Sequence, residues 1–317
     1  MTVSPYLEHP LLIDRQAHRR VDVDLATTDA VVASRGAVLM RDGRLMRVPG
    51  DAIRDATLRA FLGHEGGRGS GGERDRGGRD VGLVVPTDPD VDLASWIADG
   101  ATLTPLRAVL GALTDDPDGQ EDRELATTAV ALAAWHDTHG RCARCGEPTV
   151  AVQGGWVRRC EAEQRDHYPR TDPAIIVAVT DADERLLLAH AAHWSAGRFS
   201  HLAGYVEPGE SFEQAVHREV AEEVGIDVAD VAYVASQPWP FPASVMVGFR
   251  ARAASSDLTP DGVEITEARW VSRGQFAAEV AAGTLVPPPV GSIARALLED
   301  WLGAPAVETA PDDVSDT

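Results

Sequence analysis

Between Ser211 and Ile226 the apolar positions Phe212, Ala215, Val216 and Val220 recur three and four apart, the period of a helix with one buried face. Ser211 supplies an N-cap, Gln214 completes a capping box, and Gly225 stands where a C-terminal cap belongs. Elsewhere the period changes. The runs Ala30–Ala33 and Ala37–Met40, set around Gly36 and followed by an Asp42-Gly43 turn, read as strands of a hairpin. Val81–Val85 reads as a buried strand. Arg123–His136 is an alanine-rich helix with Leu125, Val130, Ala133 and Ala134 on its apolar face. Residues 63–80 are Gly, Arg and charge with almost nothing apolar, which predicts a mobile surface loop. Residues 303–317 are acidic and rich in Pro and Ala, which predicts a disordered tail.

Composition narrows the class. A chain of 317 residues is long enough for two domains with separate cores. Twenty-nine basic against 50 acidic residues give a net charge of −21, a field that repels polyanions, so any nucleotide must be captured by local cations. The chain contains no lysine, which excludes a Schiff base and a P-loop lysine. Glu8, Asp14 and Arg15 break up the start of the chain, so neither a secretory signal nor a membrane span is expected there. The three cysteines, Cys142, Cys145 and Cys160, have a metal-ligand spacing rather than that of a disulfide framework, which points to a reducing, cytoplasmic setting.

The chemistry concentrates in the first helix described. Glu219, Glu222 and Glu223 fall at i, i+3 and i+4 and share one face, where like charges repel unless a cation compensates. Clustered carboxylates suit Mg²⁺ or Mn²⁺, although a solvated acidic face reads the same way. The wider segment decides between these. From Gly204 through Glu210, Arg218-Glu219, Val220, Glu222-Glu223 and Gly225 to Ile226 it matches the complete Nudix box, GX5EX7REUXEEXGU, with U apolar. The chain therefore resembles the Nudix hydrolases. The resemblance implies a loop–helix–loop that holds divalent cations against a diphosphate. It implies Glu219 and Glu223 as metal ligands, Glu222 as a third ligand or base, Arg218 orienting a carboxylate and Glu210 bracing the loop. In Glu264-Ile-Thr-Glu267-Ala-Arg-Trp270 it points to Glu264, ahead of Glu267, as a ligand from outside the helix.

Three prolines alternate in Ser236–Ser244, SQPWPFPAS, which rules out a helix and fits a stiff loop presenting Trp239 and Phe241, either as a platform for a flat ring or as a plug for the chain's own core. The run is similar to the signature of NADH pyrophosphatases within the Nudix superfamily. Tyr168-Pro169-Arg170 with Asp172-Pro173, leading into a strand at Ala174–Val179, and Pro287-Pro288-Pro289 with Ser292–Arg295 resemble further segments of that subfamily. The likeness covers roughly residues 125–301. It implies an α+β fold: a catalytic Nudix α/β/α sandwich with a mixed sheet over 170–302, preceded by a degenerate Nudix-like domain (1–122), a connecting helix (123–140) and a zinc ribbon (141–169). It implies substrate contacts from Tyr168, Gln237, Pro238, Trp239, Pro240, Phe241, Pro242, Ala243, Ser244 and Ala294, with Arg107 as a diphosphate contact, and a homodimer. The implied reaction is metal-dependent hydrolysis of the diphosphate of NAD(H) to NMN(H) and AMP, extending to NAD caps on RNA 5′ ends. The alternatives are a broad dinucleotide or ADP-ribose pyrophosphatase and a catalytically silent nucleotide-sensing module. The ribbon departs from its pattern, because Glu163 stands where a fourth cysteine belongs. His167 is the first choice for a fourth Zn²⁺ ligand beside Cys142, Cys145 and Cys160, ahead of Glu163 and Asp166, and a metal-free ribbon is the rival expectation.

Overall fold

In the computed structural model, residues 7, 10–66, 78–113, 116 and 119–306 are described. The chain divides into two compact units. The N-terminal unit comprises His9–Thr171 together with Trp239–Ala243, and the C-terminal unit comprises Asp172–Pro238 and the residues from Ser244 onward.

The N-terminal unit is built on strands β1 (Ala30–Ser34), β2 (Ala37–Arg41), β3 (Arg44–Leu45), β4 (Ala56–His64), β5 (Asp80–Pro86) and β6 (Thr102–Pro105). Its sheet runs β3-β2-β1-β5-β4, with β6 on β2 and a parallel pair, β1 and β5, at the centre. The expected hairpin is β1–β2, with Arg35 and Gly36 at positive φ in its turn. Alternate strand residues feed two layers. Val31, Ala33, Val38 and Met40 pack with Leu125, Ala126, Ala129 and Val130, while Ala30, Val32 and Leu39 pack with Leu93 and Ala101. The helices are α1 (Pro89–Asp92), α2 (Ala94–Ala98), α3 (Leu106–Ala112) and α4 (Gln120–Thr138). Helix α4 extends beyond the expected Arg123–His136 at both ends, and Ala133 and Ala134 are only half-buried. The loop expected over 63–80 is shorter than its composition suggests. Gly63 and His64 end β4, and Glu65 is buried between Arg47 and Arg79; residues 67–77 lie outside the described residues.

The ribbon belongs to this same unit, as the antiparallel sheet β7 (Thr149–Val152), β8 (Val157–Cys160) and β9 (Arg165–His167). The β7–β8 turn is stitched onto β4. Phe61 N–H donates to the Gly154 carbonyl at 2.8 Å, and Trp156 Nε1 donates to the Phe61 carbonyl at 2.6 Å. A Cβ on Gly155 would stand 2.4 Å from the Ala60 Cβ, so only glycine permits this approach.

The C-terminal unit is the expected α/β/α sandwich with a mixed sheet. Its strands are β10 (Asp172–Thr180), β11 (Leu186–Ala191), β12 (Leu202–Tyr205), β13 (Val228–Trp239, whose last residue belongs to the N-terminal unit), β14 (Ser244–Ala253) and β15 (Ile265–Val271). They are ordered β13-β14-β10-β11-β15, with β12 also on β10. β10 runs parallel to β14 and antiparallel to β11 and β12. The two-residue period of β10 makes the layers. Ile175, Val177 and Val179 pack under α5 (Phe212–Val224), while Ile176 and Ala178 face α7 (Ile293–Leu302); α6 (Arg273–Ala281) completes that side. The predicted tail does not include residues 303–306. Gly303 caps α7 in the left-handed region, and Ala306 is buried, its N–H donating to Glu299 at 3.2 Å. Residues 307–317 lie outside the described residues. No described helix is long and apolar enough to cross a membrane.

Candidate active site and metal-binding ribbon

Helix α5 forms as its sequence predicts. Ser211 Oγ accepts from Gln214 N–H at 3.2 Å, Gln214 Oε1 accepts from Ser211 N–H at 2.8 Å, and Gly225 closes the helix at φ 71°. Its apolar stripe buries Ala215, Val216, Val220 and Val224 against the sheet. That orientation carries Glu219 and Glu223 inward, to 9% and 6% exposure, and leaves Glu222 outside.

Arg218 organises the carboxylates. Its Nε and Nη2 grip Glu210 at 2.6 and 3.0 Å, Nη2 also reaches the Tyr205 carbonyl at 2.9 Å, and Nη1 donates to Glu219 at 2.8 Å and Glu222 at 3.0 Å. Glu210 also accepts from the Glu207 amide at 3.0 Å. Arg218 and that amide hold the Glu210 carboxyl down at about 2, and the same carboxylates raise the Arg218 guanidinium above its ordinary value. Gly204 is required by contact rather than by φ: a Cβ there would lie 2.0 Å from the Glu219 carboxylate. The first glycine of the box therefore makes room for its central glutamate.

Burial, followed by repulsion from Glu219, Glu264, Asp261 and Glu222, pushes the Glu223 carboxyl up to about 8. Glu219 is raised for the same first reason, against the pull of Arg218. Glu223 Oε2 is buried and has no hydrogen-bond partner. A buried acceptor without a donor, inside a ring of carboxylates, is a donor set that fits a hard divalent cation.

Glu264 stands immediately before β15. Asp261, a residue that the sequence reading passed over, places it there. The Asp261 amide donates to the Glu223 carbonyl at 3.1 Å, and its carboxylate accepts the amides of Val263, Glu264 and Ile265 at 3.0, 3.1 and 2.9 Å. These bonds hold the Asp261 carboxyl below its ordinary value. The signal was available in the Asp261-Gly262 turn just ahead of a strand. Glu267 is exposed and lies 3.9 Å from Arg269.

The expected substrate residues fall into two groups. In the C-terminal unit, Gln237 is 2% exposed and its amide is fully engaged: Nε2 donates to the Gly291 carbonyl and Oε1 accepts the Ile293 amide, both at 2.7 Å. It fixes the start of α7. There Ala294, half-buried, offers its carbonyl to His201 Nε2 at 3.1 Å. Burial holds His201 neutral, with a pKa of about 4, and its Nδ1 has no partner. Ser244 is buried and lies 3.3 Å from the Tyr205 hydroxyl; Pro238 is exposed.

In the N-terminal unit, Trp239 and Phe241 meet edge to face at 4.9 Å and pack half-buried on that unit's core. Pro240 is buried, Pro242 is exposed and Ala243 is half-buried. Arg107, from α3, stacks 4.6 Å from Phe241 and 5.5 Å from Trp239. Tyr168 is exposed. The ribbon brings the Sγ atoms of Cys142, Cys145 and Cys160 within 4.8 Å of one another.

Known proteins match both regions. The NUDIX domain family covers residues 170–288, and the NADH pyrophosphatase zinc ribbon domain covers residues 137–168. The protein of Mycobacterium bovis (strain BCG / Pasteur 1173P2) named NAD-capped RNA hydrolase NudC is 37% identical over 306 residues, spanning 91% of this chain and 92% of that one. A protein of the same name from Stutzerimonas stutzeri (strain A1501) is 45% identical over 174 residues, 55% of this chain and 60% of that one. Among solved structures, a NUDIX hydrolase from Nitrosomonas europaea overlays 52% of this chain and 94% of its own at a TM-score of 0.41 and 22% identity. With a complete box on a capped helix, a ribbon ahead of it and a relative matched over nearly its whole length, the chain belongs to the Nudix hydrolases, in the branch that carries the NADH pyrophosphatase zinc ribbon.

Proposed function

We propose that this protein hydrolyses the diphosphate of NAD(H) to NMN(H) and AMP, and by the same cleavage removes NAD caps from RNA 5′ ends. The observation that carries the reading is the buried Glu219–Glu223 pair with its unpartnered oxygen, held on α5 by the Arg218 hub. The near full-length similarity to proteins named NAD-capped RNA hydrolase supports the substrate.

Glu219, Glu223 and Glu264 would hold Mg²⁺ or Mn²⁺, which when bound neutralises phosphate oxygens and lowers the pKa of a water. Arg218 aims Glu219, and Glu210 keeps Arg218 in place. Glu222 is the exposed carboxylate of the set, its side chain 62% exposed, and takes the proton from the attacking water or joins the ligand set. Asp261 fixes the Glu264 turn. Gln237 and His201 act one step away by holding the α7 start, while Trp239, Phe241, Tyr168 and Arg107 supply ring and cation contacts. A homodimer, which sizing of the purified protein tests, and a reducing, cytoplasmic setting complete the reading.

Product analysis with NADH, NAD⁺, ADP-ribose and NAD-capped RNA, each with Mg²⁺ or Mn²⁺, decides the matter. NMN(H) and AMP from NAD(H), with a 5′-monophosphate RNA from the capped substrate, is the expected result. Preference for ADP-ribose would replace this reading with a broad pyrophosphatase, and no hydrolysis with either metal would replace it with a nucleotide sensor.

A further inference from the structure

The ribbon carries three cysteines where its family pattern has four, so the identity of the fourth donor is a question about this chain alone. The residues present fit a zinc ion at three corners. A tetrahedral ion with sulfurs at about 2.3 Å sets them about 3.8 Å apart. Cys145 and Cys160 Sγ stand at 3.5 Å, and Cys142 is within 4.8 Å of both. In the turn after Cys142 the Arg144 and Cys145 amides face Cys142 Sγ, and the Glu147 amide faces Cys145 Sγ. The turn is closed by Cys142 N–H to the Glu147 carbonyl at 2.8 Å and Gly146 N–H to the Cys142 carbonyl at 2.9 Å.

Three side chains compete for the fourth corner. Asp166 is engaged elsewhere, in a two-pronged pair with Arg159 at 2.6 and 2.8 Å, and its position in β9 turns it to the opposite face from its neighbour His167. Glu163 lies 3.9 Å from Cys142 Sγ, but its carboxylate is already flanked by Arg144 at 3.4 Å and Arg165 at 3.8 Å. His167 differs from both. In the β8–β9 ladder Arg158 pairs with His167 and Cys160 with Arg165, so His167 and Cys160 project from the same face two pairs apart. That diagonal is within reach of an imidazole. The ring lies beside Cys142, and its Nε2 is buried with no hydrogen-bond partner, although neither ring nitrogen falls within 4.8 Å of all three sulfurs. A buried ring nitrogen without a partner is costly unless something binds it.

We infer that the ribbon binds one Zn²⁺ through Cys142, Cys145, Cys160 and the imidazole of His167, the histidine standing in for the missing fourth cysteine. Charge favours the same choice. Three thiolates already exceed the two positive charges of the ion, and a neutral imidazole adds none, whereas Glu163 would add a fourth negative group. The inference concerns the ribbon and does not rest on the proposed reaction.

Full-length protein, stripped of metal and titrated with Co²⁺, reads the donor set from its absorption without an activity assay. The wild type should bind one Co²⁺ with thiolate charge-transfer bands and tetrahedral visible bands. His167→Ala should weaken Co²⁺ and Zn²⁺ binding at least tenfold. His167→Cys should restore affinity and shift the visible bands to the four-thiolate pattern, which also shows that the ribbon still folds. Glu163→Gln should change affinity less than about threefold. Loss of metal in Glu163→Gln with retention in His167→Ala would make Glu163 the ligand. Retention in both variants would close the site with solvent, and no Co²⁺ or Zn²⁺ binding by the wild type would make the ribbon metal-free; each overturns the inference. NADH turnover of the same wild-type preparation, measured in parallel, reports separately on the α5 carboxylates.

Discussion

Glu223→Gln separates the electrostatic cost of the site from its catalytic use. In the metal-free protein the Glu223 carboxyl titrates near 8 rather than at its ordinary 4.5. Native protein therefore keeps this proton while unfolded chain gives it up, so stability falls as pH rises from about 4.5 to about 8. At about 1.4 kcal/mol per pH unit, the penalty at pH 7 is on the order of 3 kcal/mol. Glutamine keeps the shape and removes the titration. Its amide inherits the missing partner of Oε2, which returns about 1 kcal/mol. The net gain of about 2 kcal/mol corresponds to a Tm increase of about 4 °C or more at pH 7 in EDTA. The gain should shrink towards pH 5. Millimolar Mg²⁺ should stabilise the wild type and leave the variant unmoved, while turnover of NADH falls about 10²-fold or more. Thermal unfolding at pH 5, 7 and 8, with EDTA and with Mg²⁺, measures each part. A variant no more stable than wild type at pH 8 in EDTA, or one that hydrolyses NADH at the normal rate, refutes the assignment.

Gly204→Ala puts a methyl 2.0 Å from the Glu219 carboxylate, so it should cost about 1–3 kcal/mol of stability and lower Mg²⁺ affinity and turnover together; unchanged Mg²⁺-dependent kinetics would show that Glu219 does not hold the ion where proposed. His201 is neutral in the native protein, with a pKa of about 4 against an ordinary 6.5, so unfolded chain binds the extra proton between those values. Stability should accordingly drop by about 3 kcal/mol as pH falls through that window, and His201→Asn should flatten the slope seen in urea unfolding at pH 4.5 and 6.5. Phe241→Ala should raise KM for NADH far more than for a minimal diphosphate ester; equal effects would mean that the Trp239–Phe241 pair serves only the packing of the N-terminal unit.

What was legible in the sequence was local. Helix α5 and its ends could be read because cap, box and closing glycine lie within one short segment and agree with the apolar stripe. The β1–β2 hairpin could be read because Gly36 and the Asp42-Gly43 turn punctuate two apolar runs. The box placed Glu210, Arg218, Glu219 and Glu223 together, since fixed offsets on a helix are fixed positions in space. What was missed depends on pairings far apart in the chain. The stitching of Gly154 and Trp156 onto Phe61, which ties the ribbon to β4, has no local signature. The resemblance implies Gln237 as a substrate contact, and the sequence carries no sign that its amide is tied to Gly291 and Ile293. Asp261 was overlooked because the Asp261-Gly262 turn signals only a bend before a strand, not that the carboxylate binds three backbone amides.

The segment from Gly204 to Glu219 closes on itself. One guanidinium clamps the Tyr205 carbonyl and Glu210 at one end and Glu219 at the other, while Gly204 touches the same Glu219. It is a ring made without a covalent crosslink, and a ring has a fixed circumference. One residue added between Tyr205 and Ser211 would pull Glu210 off the clamp or push the Gly204 backbone away from Glu219. The number of residues in this loop is thus set by the reach of the Arg218 side chain.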